Sequence, residues 1–267
     1  MHQLASIEGK NINIIKDLKP EDVMTLEKHT KIVSIFIKNI SRIKIANDSF
    51  VAYENLIKKF MSKEITYHDL SKNIHTYILN YLAAFRAFLD HWDTHLKRSY
   101  GEESVSYQKF KEGTAVEFDA YFSYRFIYEL RNYTLHLDMP LSSLTGKIDD
   151  NDNISVEIMV NRDKLLNTYK WPKKVKLIDM PVEFDINIHI LQSFECLKRI
   201  QNIALNLGDI NKVYNSAIYL DNIKIANTGN CSFGLVEHDG QTKETYKPQK
   251  IIPLPIMEAS EILKMIQ

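Results

Sequence analysis

Apolar residues recur along this chain at two periods, and the switches between them lay out its elements. Between Thr66 and Tyr100, Leu70, Ile74, Tyr77, Ile78, Tyr81, Leu82, Phe85, Phe88, Leu89, Trp92 and Leu96 form one wide stripe. Their three- and four-residue spacing predicts a long amphipathic helix. Gly101 stops it. A partner helix is predicted from Tyr107 to about Leu137, with Phe110, Phe118, Tyr121, Phe122, Phe126 and Leu130 as its apolar set. A short polar connection should pack the two antiparallel. Lys19-Pro20-Glu21-Asp22 reads as another helix start, with proline in the first turn and acids at the positive end. Imperfect helical spacing follows from Val23 to about Ile45, then from about Asp48 to Met61, and residues 185–220 return to it.

Period two is rarer. Residues 3–15 alternate in short runs broken at Gly9-Lys10, which suggests a hairpin or an irregular arm. Past Pro140, the Asp149–Asn153 run reads as a turn and Ile154–Val160 alternates as a strand does. A strand pair is expected at Ser232–His238 and Thr242–Lys247, turned at Asp239-Gly240, and Pro255 opens a last short helix. The expected fold is mainly α, built on the long helix pair, with minor β portions in the C-terminal half and at the N-terminus. The domains expected are an arm at 1–20, a helical body at 21–220 and a small β/α portion at 221–267. The body holds the motif hairpin at 66–140 and a β excursion at 150–180.

Composition adds bounds. Only 8 glycines and 7 prolines in 267 residues deplete the turn vocabulary and favour helix. The 34 basic residues equal the 34 acidic ones, so any grip on nucleic acid must come from a local patch. Cys196 and Cys231 match no metal-ligand spacing and read as reduced thiols of a cytoplasmic protein. No signal peptide is evident, and the most apolar stretch, Tyr77–Leu89, contains Asn80 and Arg86 and is too short to span a bilayer. No cofactor, metal site or membrane attachment is expected.

The candidate chemistry lies in Arg131-Asn132-Tyr133-Thr134-Leu135-His136, just before Pro140. Histidine is the side chain whose ordinary titration lies nearest neutrality, and arginine is a permanent fork-shaped charge suited to phosphate. Such a pair can serve metal-free RNA cleavage: one group takes the 2′-hydroxyl proton, another protonates the leaving 5′-oxygen, and a cation stabilises the phosphorane. On a regular helix, five residues set the two side chains roughly 140° apart. The residue before a proline is pushed out of the helical region, so the helix should end between Leu135 and Met139 and free His136 to swing toward Arg131. Asn132, four residues before His136, could hold the imidazole or touch phosphate. One histidine fills one proton-transfer role, and a symmetric dimer would supply the other.

The segment resembles the signature of the HEPN superfamily (higher eukaryotes and prokaryotes nucleotide-binding): arginine, a polar residue, three more, then histidine. The context from Asn80, NYLAAFRAFLDHWDTHLKRSYG, and from Phe118, FDAYFSYRFIYELRNYTLHLDMPL, is similar to HEPN-like bacterial proteins. The likeness covers about 66–145. It implies a dimerising helical bundle whose Arg131 and His136 form a composite endoribonuclease site supported by Asn132. The products would carry 2′,3′-cyclic phosphate and 5′-hydroxyl ends. It further implies a toxin or abortive-infection effector in phage defence, with a cognate antitoxin or regulatory protein as a partner besides RNA. Members modified by a nucleotidyltransferase antitoxin often carry a tyrosine two residues after the histidine, where this chain has Asp138.

Other readings stay open. The same residues would serve a catalytically silent module that binds nucleic acid or nucleotide or scaffolds a partner. Arg131 could pair with Glu129, Asp138 or a carboxylate on the neighbouring helix, and His136 could cap the helix C-terminus. Arg86 to His91 repeats the spacing, but Ala87 follows the arginine and Arg86–Asp90 is an ordinary i,i+4 pair, which leaves Arg86, Asp90 and His91 a supporting role beside the motif. Lys170-Trp171-Pro172-Lys173-Lys174-Val175-Lys176 could hold an RNA strand, though a lysine-protected strand edge explains it as well.

Overall fold

The computed structural model describes residues 1–224, 231–237 and 250–266. In chain order its elements begin with β1 (His2–Glu8), β2 (Asn11–Leu18), α1 (Pro20–Ile40) and α2 (Lys44–Met61). Then come α3 (Tyr67–Tyr100), α4 (Val105–Ala120), α5 (Phe122–His136), β3 (Leu141–Ile148) and β4 (Ile154–Asn161). The remainder are α6 (Arg162–Thr168), β5 (Glu183–Asp185), α7 (Ile186–Asn206), α8 (Ile210–Asp221), β6 (Ser232–Glu237), β7 (Lys250–Leu254) and α9 (Ile256–Ile266). The protein is thus mainly helical, with two small antiparallel sheets among the described residues.

Contacts divide the chain into Met1–Asn39 with Gly208–Gln267, and Ile40–Leu207. These boundaries differ from those expected at 20 and 220. The reason is strand pairing: β6 pairs antiparallel with β1, His2 opposite Glu237 and Ile7 opposite Ser232, so the N-terminal arm and the C-terminal portion share one sheet. Its order is β2-β1-β6-β7, and Gly9 in the left-handed region turns the β1–β2 hairpin. Leu4, Phe233 and Leu235 of this sheet share a core with Val33, Ala217 and Ile262 of α1, α8 and α9. The expected strand at 242–247 and the turn at 239–240 lie outside the described residues.

In the 40–207 unit, α3 starts where the sequence reading placed it. Thr66 accepts from the Asp69 amide and Asp69 accepts from the Thr66 amide, a reciprocal cap, and Gly101 at φ 90° ends the helix. Every residue of the long stripe is buried except Tyr77, which is half-buried. The partner helix is not continuous. Tyr121 is extended at φ −119°, ψ 114° and breaks the stretch into α4 and α5. Tyr121 is exposed, with the Arg199 guanidinium 4.5 Å over its ring, so the expected core position is a surface hinge. α4 runs back along α3, as Tyr107 and Lys111 both reach Asp93 at 3.0 Å. α5 meets α3 through Phe85–Tyr124 and α7 through Ser123–His189. The second sheet, β3-β4-β5, includes a strand, Leu141–Ile148, that the sequence reading left out.

Candidate functional site

Three anchors hold the outer half of α5. Buried Tyr133 lies against Trp171 and Tyr169, with ring centroids 6.2 and 6.0 Å away. Trp171 also stacks on Phe126 at 5.7 Å and donates its indole N–H to the Leu165 carbonyl. The Tyr169 hydroxyl donates to the buried Glu129 carboxylate at 2.7 Å, and that carboxylate pushes the phenol up to about 12. The basic and aromatic run at 170–176 is therefore no strand edge. Trp171 is spent on internal stacking, while Lys170, Lys173, Lys174 and Lys176 stay exposed on a loop and a single 3-10 turn.

Arg131 occupies the next-to-last turn of α5, half-buried. Its Nε is buried without a hydrogen-bond partner, and Nη1 reaches only Asn132 Oδ1 at 3.4 Å. That contact is long beside a charge-assisted hydrogen bond, which runs at about 2.7–2.9 Å. Glu129 and Asp138, the two nearby carboxylates in sequence, are engaged elsewhere, and no carboxylate of a neighbouring helix pairs with it among the described residues. Glu129 takes the Tyr169 proton donor, and Asp138 faces Lys164 at 3.6 Å while accepting from the Met139 amide. Among the described residues, Arg131 has no ion pair.

His136 is the last residue of α5 and is exposed, with Leu137 as the C-cap. The helix ends inside the expected interval, but it includes His136. Regular geometry to that point keeps Arg131 and His136 roughly 140° apart about the axis. No swing of His136 toward the arginine is seen within one chain. Asn132 turns its oxygen to Arg131.

Of the supporting candidates, Arg86 pairs with Asp90 at 3.0 Å and lays its guanidinium 4.3 Å over the Tyr128 ring. The exposed His91 lends its carbonyl to Arg42 at 3.4 Å. Arg86 and Asp90 line a cleft of about 440 Å³ that His91 and Arg131 do not line. Tyr124, Tyr128, Phe118, Lys111 and Lys174 line it too. Of these, only Lys174 belongs to a cluster visible beforehand; the rest are ordinary core and surface residues until α3, α4 and α5 pack.

Elsewhere in this unit, burial lowers His189 to about 4. Its Nδ1 lies 2.8 Å from the Ser123 hydroxyl, amid the rings of Phe122, Phe126 and Phe184. Burial also raises the Cys196 thiol to about 12, which leaves it inert beside Arg199. Among the described residues, no group of three or more His, Cys, Asp or Glu could hold a metal ion, and no helix is long and apolar enough to cross a membrane. No protein-family profile, curated protein or solved structure matches the chain.

Proposed function

We propose that this protein is a metal-independent endoribonuclease of the HEPN type, acting as a toxin or phage-defence effector. The observation that carries the reading is the state of Arg131: a partly buried guanidinium with an orphaned Nε and, among the described residues, no carboxylate partner. A structural arginine finds an internal anion; one held open is suited to an external phosphate. His136, exposed one turn further at the end of α5, is free to exchange a proton with solvent or substrate.

The chemistry assigns Arg131 to the phosphorane charge and His136 to one proton transfer. The ribose 2′-oxygen attacks phosphorus, the bond to the 5′-oxygen breaks, and a 2′,3′-cyclic phosphate and a 5′-hydroxyl result. The divergence of the two side chains on one regular helix makes a single chain insufficient. A homodimer answers this, with Arg131 of one copy and His136 of the other approaching the same phosphate and Asn132 fixing the guanidinium. The same divergence also favours a second reading, a catalytically silent module that binds RNA or nucleotide through Arg131 alone.

The test is RNA cleavage in EDTA by the wild type, Arg131→Ala and His136→Ala, with product ends analysed. Cleavage by the wild type alone, leaving cyclic phosphates, supports the enzyme and both residues. Equal activity in all three preparations refutes the site. A folded dimer that cleaves no cellular RNA leaves the binding module.

A further inference from the structure

The cleft bounded by α3, α4, α5 and Lys174 sets Arg86, Lys111 and Lys174 beside Asp90, Asp93 and Asp119, so its formal charges balance and any hold on an anion falls to an unpaired cation. Arg86 holds its guanidinium carbon 4.3 Å from the Tyr128 ring centre, pairs with Asp90, and keeps 27% of its side chain exposed. Lys174 holds its ammonium 4.9 Å over the Phe118 ring. Lys111 sits at the rim, paired with Asp93. A partly exposed guanidinium is a stacking surface for a nucleobase, and aromatic floors with neighbouring cations are how single strands are held. Lys174 is the cation here without a carboxylate partner among the described residues, so it is the one available to a phosphate.

Position ties the cleft to the motif. Tyr124, Tyr128 and Arg131 stand at i, i+4 and i+7 on α5, hence on one face. Arg131 is roughly 4.5 Å further along the axis than Tyr128. A strand with its phosphate at Arg131 would present a neighbouring unpaired base to the Arg86–Tyr128 pair and the next phosphate to Lys174. We infer that this cleft is a subsite for one unpaired nucleotide of a single-stranded RNA, flanking the phosphate held by Arg131. The inference rests on the RNA-cleavage reading for its substrate class. A nucleobase with its phosphate could also come from a free nucleotide; continuity with Arg131 favours the strand.

The test is fluorescence-anisotropy titration with a single-stranded 2′-O-methyl oligoribonucleotide, which has no 2′-hydroxyl and cannot be cut. Two variants probe the cleft from exposed positions, Lys174→Glu and Ala115→Trp, the latter filling it with an indole. Each is expected to weaken binding about tenfold with an unchanged thermal melt. Lys174→Glu should also flatten the salt dependence. Affinities equal to wild type in both variants overturn the subsite. AMP or GMP binding as tightly as the oligomer and displacing it overturns the strand in favour of a free nucleotide. Cleavage by the wild type, measured separately on unmodified RNA, keeps the two readings apart. Cleft-dependent binding without cleavage retains the subsite and removes the nuclease. Cleavage and binding unaffected by both variants retain the nuclease and remove the subsite.

Discussion

Arg131 carries a cost to folding that the proposed function would explain. Leaving a buried N–H without an acceptor costs roughly 1–3 kcal/mol, and functional groups are where proteins tolerate such costs. Arg131→Met, which keeps the packing stem and removes the orphaned donor, should leave the melting temperature unchanged or raised while abolishing RNA cleavage. A drop in melting temperature would make the arginine structural. His189 behaves in the opposite sense. Its folded-state titration lies near 4 because burial disfavours the cation, against about 6.5 in the unfolded chain. The unfolded state therefore binds the extra proton first. The stability is complete above pH 6.5 and lost as pH falls toward 4, by about 3 kcal/mol in all. Urea titrations at pH 7 and pH 4.5 should show this loss, and His189→Gln should reduce it. A loss of the same size in that variant would assign the effect to other groups. The motif's location at a helix end was legible from Pro140 and the local spacing. The idle charge of Arg131 was not, because it depends on Tyr169 and Lys164 claiming Glu129 and Asp138.

At the scale of elements, legibility follows local information. The α3 helix carries a cap, a stripe and a terminal glycine in its own sequence, so its bounds emerge from the residues themselves. The break at Tyr121 has no proline or glycine to announce it. It is held by tertiary partners: Arg199 stacks on the ring and makes two 2.8 Å bonds to buried Glu117, pinning the end of α4 to α7. β3 was equally invisible, since its residues are mostly exposed and carry little alternation. Only the Glu117 side of this pair is buried, with Arg199 41% exposed, so solvent screens the pair and losing the arginine costs roughly 1–2 kcal/mol, for the carboxylate left behind. Arg199→Met should therefore destabilise by about 1–2 kcal/mol in a denaturant titration, and adding Glu117→Gln should restore most of it. Additive losses in the double variant would mean that the pair does not act as a unit.

For the whole molecule, the sheet that pairs β1 with β6 was beyond a reading of local pattern, as strand partners so distant in sequence leave no mark on either strand. Both tryptophans, Trp92 and Trp171, belong to the 40–207 unit, so fluorescence and circular dichroism can separate the two units. Gly234 lies where a Cβ would meet Ile7 at 2.9 Å and Ile251 at 3.1 Å, so Gly234→Val should damage the β1–β6–β7 sheet selectively. Far-UV circular dichroism should then show a loss at low denaturant that tryptophan fluorescence does not share; coincident curves would mean one cooperative body. The β1–β6 pairing also orders events on the ribosome. The segment 40–207 is continuous and can collapse as soon as it clears the exit tunnel. β1, made before β6, has only its β2 partner in the sheet until residues 232–237 arrive, and an isolated hairpin is marginal in water. Closing so long a loop is slow. A nascent chain would thus complete the segment bearing Arg131 and His136 well before strands β1 and β6 meet, so two such segments could pair before the other unit of either chain has closed.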